Sequence, residues 1–246
     1  MPTLMAIGAH PDDIEIGLGG TIRKAIRQGH RVVVVDLTDG EETPYGTREL
    51  RKQETARANA VLGIAERRCL DLPNRVLMDS EDARRRLAIV MRETRPDVVF
   101  THWEVDAHPD HVAAFQITRG AMLLSRIVKI DLPHRPWRPG PMYSFLTSHL
   151  RHPYQPAFTL ELGDEEFAAK LKAVLCYESQ FVVGRPENWC RETLEYRARY
   201  YGSLGRSTYA EGVMSLEPPA VRDLFDLVGE GKENKARPAG TADRAL

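Results

Sequence analysis

Two short segments hold the residues best suited to catalysis. His10-Pro11-Asp12-Asp13-Ile14-Glu15 directly follows an apolar run from Leu4 to Ala9, and His108-Pro109-Asp110-His111 follows a second run from Asp97 to Thr101. Each therefore delivers imidazoles and carboxylates to the end of an expected β-strand. Catalytic zinc sites take three protein ligands from His, Asp or Glu and keep a further position for water. His10 and Asp13 are separated by about one helical turn if the chain bends into a helix there, so both can face one point. The second segment supplies the third ligand, for which His111 is the choice. Adjacent side chains point apart, so Asp12 and Asp13 should differ in role, one on the metal and one facing the open position. A carboxylate beside zinc-acidified water can take its proton as general base. Attack on an amide carbonyl then makes an oxyanion, which the metal and a protonated imidazole stabilise. His108 suits that second role, with Asp110 expected to hold its ring and keep it charged. This chemistry is hydrolysis.

A lone His-Pro-Asp is commonly a turn whose Asp caps a backbone N–H. Two such segments after strand ends in one chain favour a site. His30, His134, His149 and His152 lack such company and read as surface or structural residues. Gly17-Leu18-Gly19-Gly20, with Asp36 at the end of the next strand, invites a nucleotide-binding oxidoreductase as the alternative class. The spacing is not G-x-G-x-x-G, because position 22 is Ile, and the turn already holds acids that repel a pyrophosphate. These glycines are better read as letting the first helix pack closely.

The elements around the two segments can be read from apolar periodicity. Arg31–Asp36 is a continuous apolar strand, as expected where both sheet faces are covered. Helices are expected after strand 1 up to Gly29, from Leu50 to Gly63, from Asp79 or Ser80 to the residues before Pro96, and over His111–Leu124, with a weak strand at Arg68–Leu72. The resulting βαβαβαβα order predicts an α/β, Rossmann-like fold with a mostly parallel sheet and helices on both faces. In strand order 3-2-1-4, strands 1 and 4 meet where the order reverses, and ligands bind beyond such a point. Two extra C-terminal strands (Met142–Thr147 and Ala157–Leu162) and helices capped by Asp164 and Asn188 complete a single domain over 1–228. The charged, Gly/Pro-containing stretch 229–246 reads as a mobile tail.

With 246 residues, 42% hydrophobic and a net charge of −1, the chain is globular and is not built for nucleic acid or an anionic membrane. Three cysteines without CxxC spacing suit a reduced cytosol. No run approaches the roughly 18 apolar residues of a membrane span, and no signal-peptide pattern is present, so a cytoplasmic location is expected.

The motifs resemble those of the PIG-L/LmbE-like zinc N-deacetylases. The matching stretches are Ala9 to Glu15 with Gly19-Gly20-Thr21, His108 to His111, and Gly46-Thr47-Arg48-Glu49-Leu50-Arg51 with Glu54. Tyr177-Glu178-Ser179-Gln180-Phe181 and Pro133-His134-Arg135-Pro136 are most similar to the branch that deacetylates N-acetylglucosaminyl malate in bacillithiol biosynthesis. The resemblance implies zinc on His10, Asp13 and His111, Asp12 as general base, and His108 with Asp110 at the oxyanion and leaving amine. It also implies Arg51, and more weakly Arg135, as holders of an anionic part of the substrate. Ala107 stands where that branch commonly has Arg. The donor set also accepts iron(II), cobalt or manganese. Another small N-acetyl sugar, or the amide of a thiol conjugate, is the alternative substrate. The family is often homo-oligomeric.

Overall fold

The computed structural model describes residues 1–147 and 154–221. The expectations for His149, His152 and the tail 229–246 fall outside them. Four β/α units run β1 (Thr3–Gly8), α1 (Asp13–Arg27), β2 (Arg31–Asp36), α2 (Arg48–Leu62), β3 (Glu66–Cys69), α3 (Glu81–Thr94), β4 (Val98–His102) and α4 (Pro109–Arg126). After them come β5 (Met142–Phe145), β6 (Phe158–Leu162), α5 (Asp164–Leu175), α6 (Glu178–Phe181), α7 (Trp189–Gly205) and β7 (Tyr209–Val213). Strands β3-β2-β1-β4-β5 form one parallel sheet, and β6 pairs with β7 in a separate antiparallel sheet. The expected 3-2-1-4 order is thus present, with β5 added at the edge.

The two-sided core explains the unbroken apolar strands. Met5, Ile7, Val33, Val35 and Val99 pack with Leu87, Met91, Ala114 and Ile117 of α3 and α4. Their neighbours Leu4, Ala6, Val32, Val34 and Phe100 pack on the other face with Ile14, Leu18, Ile22 and Leu62 of α1 and α2. Alternating side chains therefore serve opposite faces. Local caps set the boundaries. Thr47 Oγ1 accepts from Leu50 N, Ser80 Oγ accepts from Ala83 N, and Gly63 closes α2 at φ 83°. Asp164 is the first residue of α5 and Gly163 is its cap, because the Glu166 carboxylate bonds back to Gly163 N. Asn188 precedes α7 without a side-chain cap bond. Strand β7 and the short α6 carry little periodicity of their own.

Helix α1 lies tight against its neighbours. A Cβ on Gly17 would stand 2.3 Å from Phe145 Cδ2, and one on Gly20 would stand 2.4 Å from Leu162 Cδ1. The glycine stretch is thus a packing surface and leaves no room for a pyrophosphate. Phe145 in turn packs against the His102 ring at 4.8 Å. Gly17→Ala is expected to lower stability by about 1–3 kcal/mol through overpacking, read as a reduced urea midpoint at unchanged m-value.

Candidate metal centre

Strand β1 stops where Ala9 O accepts from both the backbone N–H and the hydroxyl of Thr38. The chain then turns through His10-Pro11-Asp12 into α1. Asp12 has φ 124°, a left-handed conformation costly for a residue with a Cβ. Such strain persists only where the surroundings over-determine it. Here Arg51 of α2 does so, donating to Pro11 O at 3.0 Å and to Asp12 Oδ2 at 2.9 Å. On the other side of the strand-order reversal, β4 ends at His102. His108 caps α4, its Nδ1 accepting from Asp110 N.

The two segments converge. His10, Asp13 and His111 each offer a ligand atom, and the three atoms lie within 4.8 Å of one another. His10 turns Nδ1 to Asp13 Oδ2 at 3.4 Å, and His111 turns Nε2 to Asp13 Oδ1 at 3.2 Å. Each imidazole has a carboxylate behind it. Asp110 Oδ2 lies 3.2 Å from His10 Nε2, and Asp106 Oδ2 lies 3.2 Å from His111 Nδ1. A carboxylate–histidine pair of this kind fixes ring orientation and raises ligand basicity at metal centres. Two oriented imidazoles and one carboxylate fit a divalent ion with an open position.

The electrostatics point the same way. Burial alone would raise the Asp13 carboxyl, but His111 and His102 hold it well below the usual carboxylate range. Burial also opposes charge on His10 and His111, yet Asp110 and Asp13 carry His10 to about 10, and Asp13 and Asp106 carry His111 to about 9. A site that binds protons this avidly has the negative field a divalent cation needs, and the two compete for the same lone pairs.

The other expected residues fall as follows. Asp12 is buried beside Asp13, and burial pushes its carboxyl up to about 7 despite Arg51. His108 is half-buried, its ring 4.8 Å from that of His10 and 4.7 Å from that of His111. Asp110 differs from expectation. Its carboxylate accepts from the backbone amides of Arg75 and Leu77 and meets His10, so it acts on the His108 ring through its charge while the hydrogen bond to His108 comes from its amide. Arg51 is buried between Asp12 and Glu41, and its guanidinium is committed to them instead of open to an incoming anion. Arg135 lies away from the centre. It shares a groove with Thr3 and Asp97, at the starts of β1 and β4, because the segment after α4 runs back to the N-terminal ends of the strands.

Residues overlooked in the motifs complete the centre. His102 is fully buried, stacked on His111 at 4.0 Å, with Nε2 3.0 Å from Asp13 Oδ2. Burial and His111 push it down to about 4. Thr147 Oγ1 lies 3.3 Å from Nδ1 of both His102 and His111. The available signal for His102 was its place as the last residue of β4.

Residues 5–122 match the family PIG-L, GlcNAc-PI de-N-acetylase. The diacetylchitobiose deacetylase of Thermococcus kodakarensis is 30% identical over 226 residues, spanning 85% of this chain and 81% of that protein. The chain belongs to the PIG-L family. Membership places it among N-deacetylases, hydrolases of amide C–N bonds. A 1D-myo-inositol 2-acetamido-2-deoxy-alpha-D-glucopyranoside deacetylase of Thermobifida fusca is 28% identical over 175 residues, 57% of this chain and 60% of that protein. The conserved protein TT1542 from Thermus thermophilus shares the fold with a TM-score of 0.82 and 34% identity, over 90% of this chain and 97% of that one.

Asp106→Asn is expected to weaken divalent-metal affinity by about 10–100-fold, read by competition with a chromogenic chelator. Arg51→Ala leaves two buried carboxylates without their cation and is expected to cost about 3–5 kcal/mol in urea unfolding, with Arg51→Lys losing less.

Proposed function

We propose that this chain is a zinc-dependent N-deacetylase that releases acetate and a free amine from an N-acetylglucosamine glycoside. The observation that carries this reading is the convergence of His10, Asp13 and His111 with Asp12 and His108 beside them. A divalent ion held by the first three would supply a Lewis acid that acidifies water and polarises the amide carbonyl. Asp12 accepts the proton of the attacking water, and its strained backbone and its bond to Arg51 keep the carboxylate aimed. His108 accepts the Asp110 amide on Nδ1, which leaves Nε2–H to donate to the oxyanion, while the proton that Asp12 takes from water passes to the departing amine. Asp110 and Asp106 orient the two ligand rings.

The relatives named for diacetylchitobiose and for an acetamido-glucopyranosyl inositol support a GlcNAc-type substrate. N-acetylglucosaminyl malate, the substrate suggested by the Tyr177–Phe181 motif, is the specific choice, with another small N-acetyl sugar or a thiol conjugate as the alternative. A cytoplasmic homo-oligomer acting on a small molecule belongs to the same reading. No helix of the described residues is long and apolar enough to cross a membrane.

An acetate-release screen over these sugars tests it. Turnover is expected to vanish with chelator and to return with zinc. Asp12→Asn should keep its metal, by elemental analysis, while kcat falls about 10²–10⁴-fold. Near wild-type turnover in that variant overturns the base assignment. Asp12 must be ionised to act, so kcat/KM should fall on the acid side of a limb no higher than about 7.

A further inference from the structure

The motif Pro133-His134-Arg135-Pro136 has no part in the metal centre, and it borders a cavity of its own. A groove of about 670 Å³ lies at the N-terminal ends of the strands, where β1 and β4 begin, whereas the metal ligands follow their C-terminal ends. That volume falls in the range of small-molecule sites, roughly 300–1,000 Å³. Four arginines line the groove, Arg31, Arg92, Arg95 and Arg135, against two carboxylates, Glu93 and Asp97.

The frame of the groove is fixed and its acids are already matched. Arg92 is fully buried and donates to four carbonyls, those of Ser125, Ile127, Leu132 and His134. Trp137 donates its backbone N–H to Ser125 O and its indole N–H to Pro96 O. These bonds tie the segment after α4 to the end of α3. They also hold His134 at φ 64°, a left-handed conformation that a residue with a Cβ keeps only where its surroundings impose it. The next residue is Arg135, which the clamp therefore presents at the groove. Glu93 pairs with Arg68, Asp97 accepts from Thr3 N, and Arg31 pairs with Glu66. Among the described residues no carboxylate lies within ion-pairing distance of Arg92, Arg95 or Arg135. Arg95 and Arg135 are exposed, and Arg95 lies over the Trp137 ring at 5.8 Å. The cations of the groove are thus in excess and two of them are open to a ligand.

A carboxylate is satisfied by one guanidinium fork, whereas a phosphate has oxygens enough for two. The groove is also far larger than a bare phosphate. We propose that it binds a phosphorylated small molecule about the size of a sugar phosphate, with the phosphate on Arg95 and Arg135 and the buried Arg92 charge beneath. This goes beyond the N-deacetylase reading and does not depend on it. The test is calorimetry on the full-length, zinc-loaded protein with glucose 6-phosphate, inorganic phosphate and neutral glucose. Glucose 6-phosphate should bind saturably, one per chain, more tightly than inorganic phosphate, with glucose silent. Arg135→Gln and Arg95→Gln should each weaken it about 10–100-fold, at an unchanged urea midpoint, and removal of zinc should leave it unchanged. Absence of saturable binding overturns the proposal. So does binding that disappears with the zinc and is untouched by the two substitutions, since that places the phosphate on the metal centre.

Discussion

A buried carboxylate ringed by imidazoles is the constraint on which the rest depends. Asp13 is almost wholly removed from water, yet it stays ionised because His111 meets one oxygen and His102 and the His10 backbone N–H meet the other. An anion this deep requires positive charge at short range. The imidazoles can supply it as protons, or a divalent ion can supply it in their place. Asp110 and Asp106 stand behind His10 and His111 and add further negative charge, so both rings are oriented inward. The centre is therefore a set of acids whose mutual repulsion only a cation relieves.

Around it runs an outer set of alternating charges that ties distant segments to the same crevice. Asp12 binds Arg51, Arg51 binds Glu41, and Glu41 accepts from Thr43. Thr43 in turn receives a bond from Gln180. One helical turn beyond Arg51, Glu54 accepts both the amide and the hydroxyl of Ser179. Arg67 joins Glu15 and Asp36, and the fully buried Tyr177 donates to Glu15. The motif at 46–54 and the motif at 177–181, far apart in the chain, are thus two halves of one clamp. Its function is mechanical and electrostatic: it holds the loop after β2 and the strained turn at Asp12 in place.

The parallel sheet supplies the frame. Because β1 lies between β2 and β4, the loops that leave β1 and β4 diverge onto opposite faces and open a crevice between their first residues. The glycines of α1 let that helix sit against Phe145 and Leu162, and Phe145 reaches the His102 ring. Packing at the helix–strand contact is in this way continuous with the metal centre. Thr147 comes to the same place from the C-terminal part of the chain.

The sequence alone determined the α/β order, the parallel sheet and the identity of the strand-end segments, because apolar runs, caps and motif spacing are local properties. It also pointed to the meeting of His10, Asp13 and His111, because the strand order follows from the alternation of strands and helices. Where its arginines would go was beyond it. Arg51 and Arg135 have the same side chain, and a long flexible cation goes wherever the fold brings carboxylates or carbonyls within reach. The partner of Asp110 and the burial of His102 were hidden for the same reason: a hydrogen bond between segments depends on their positions in space, and only tertiary packing sets those.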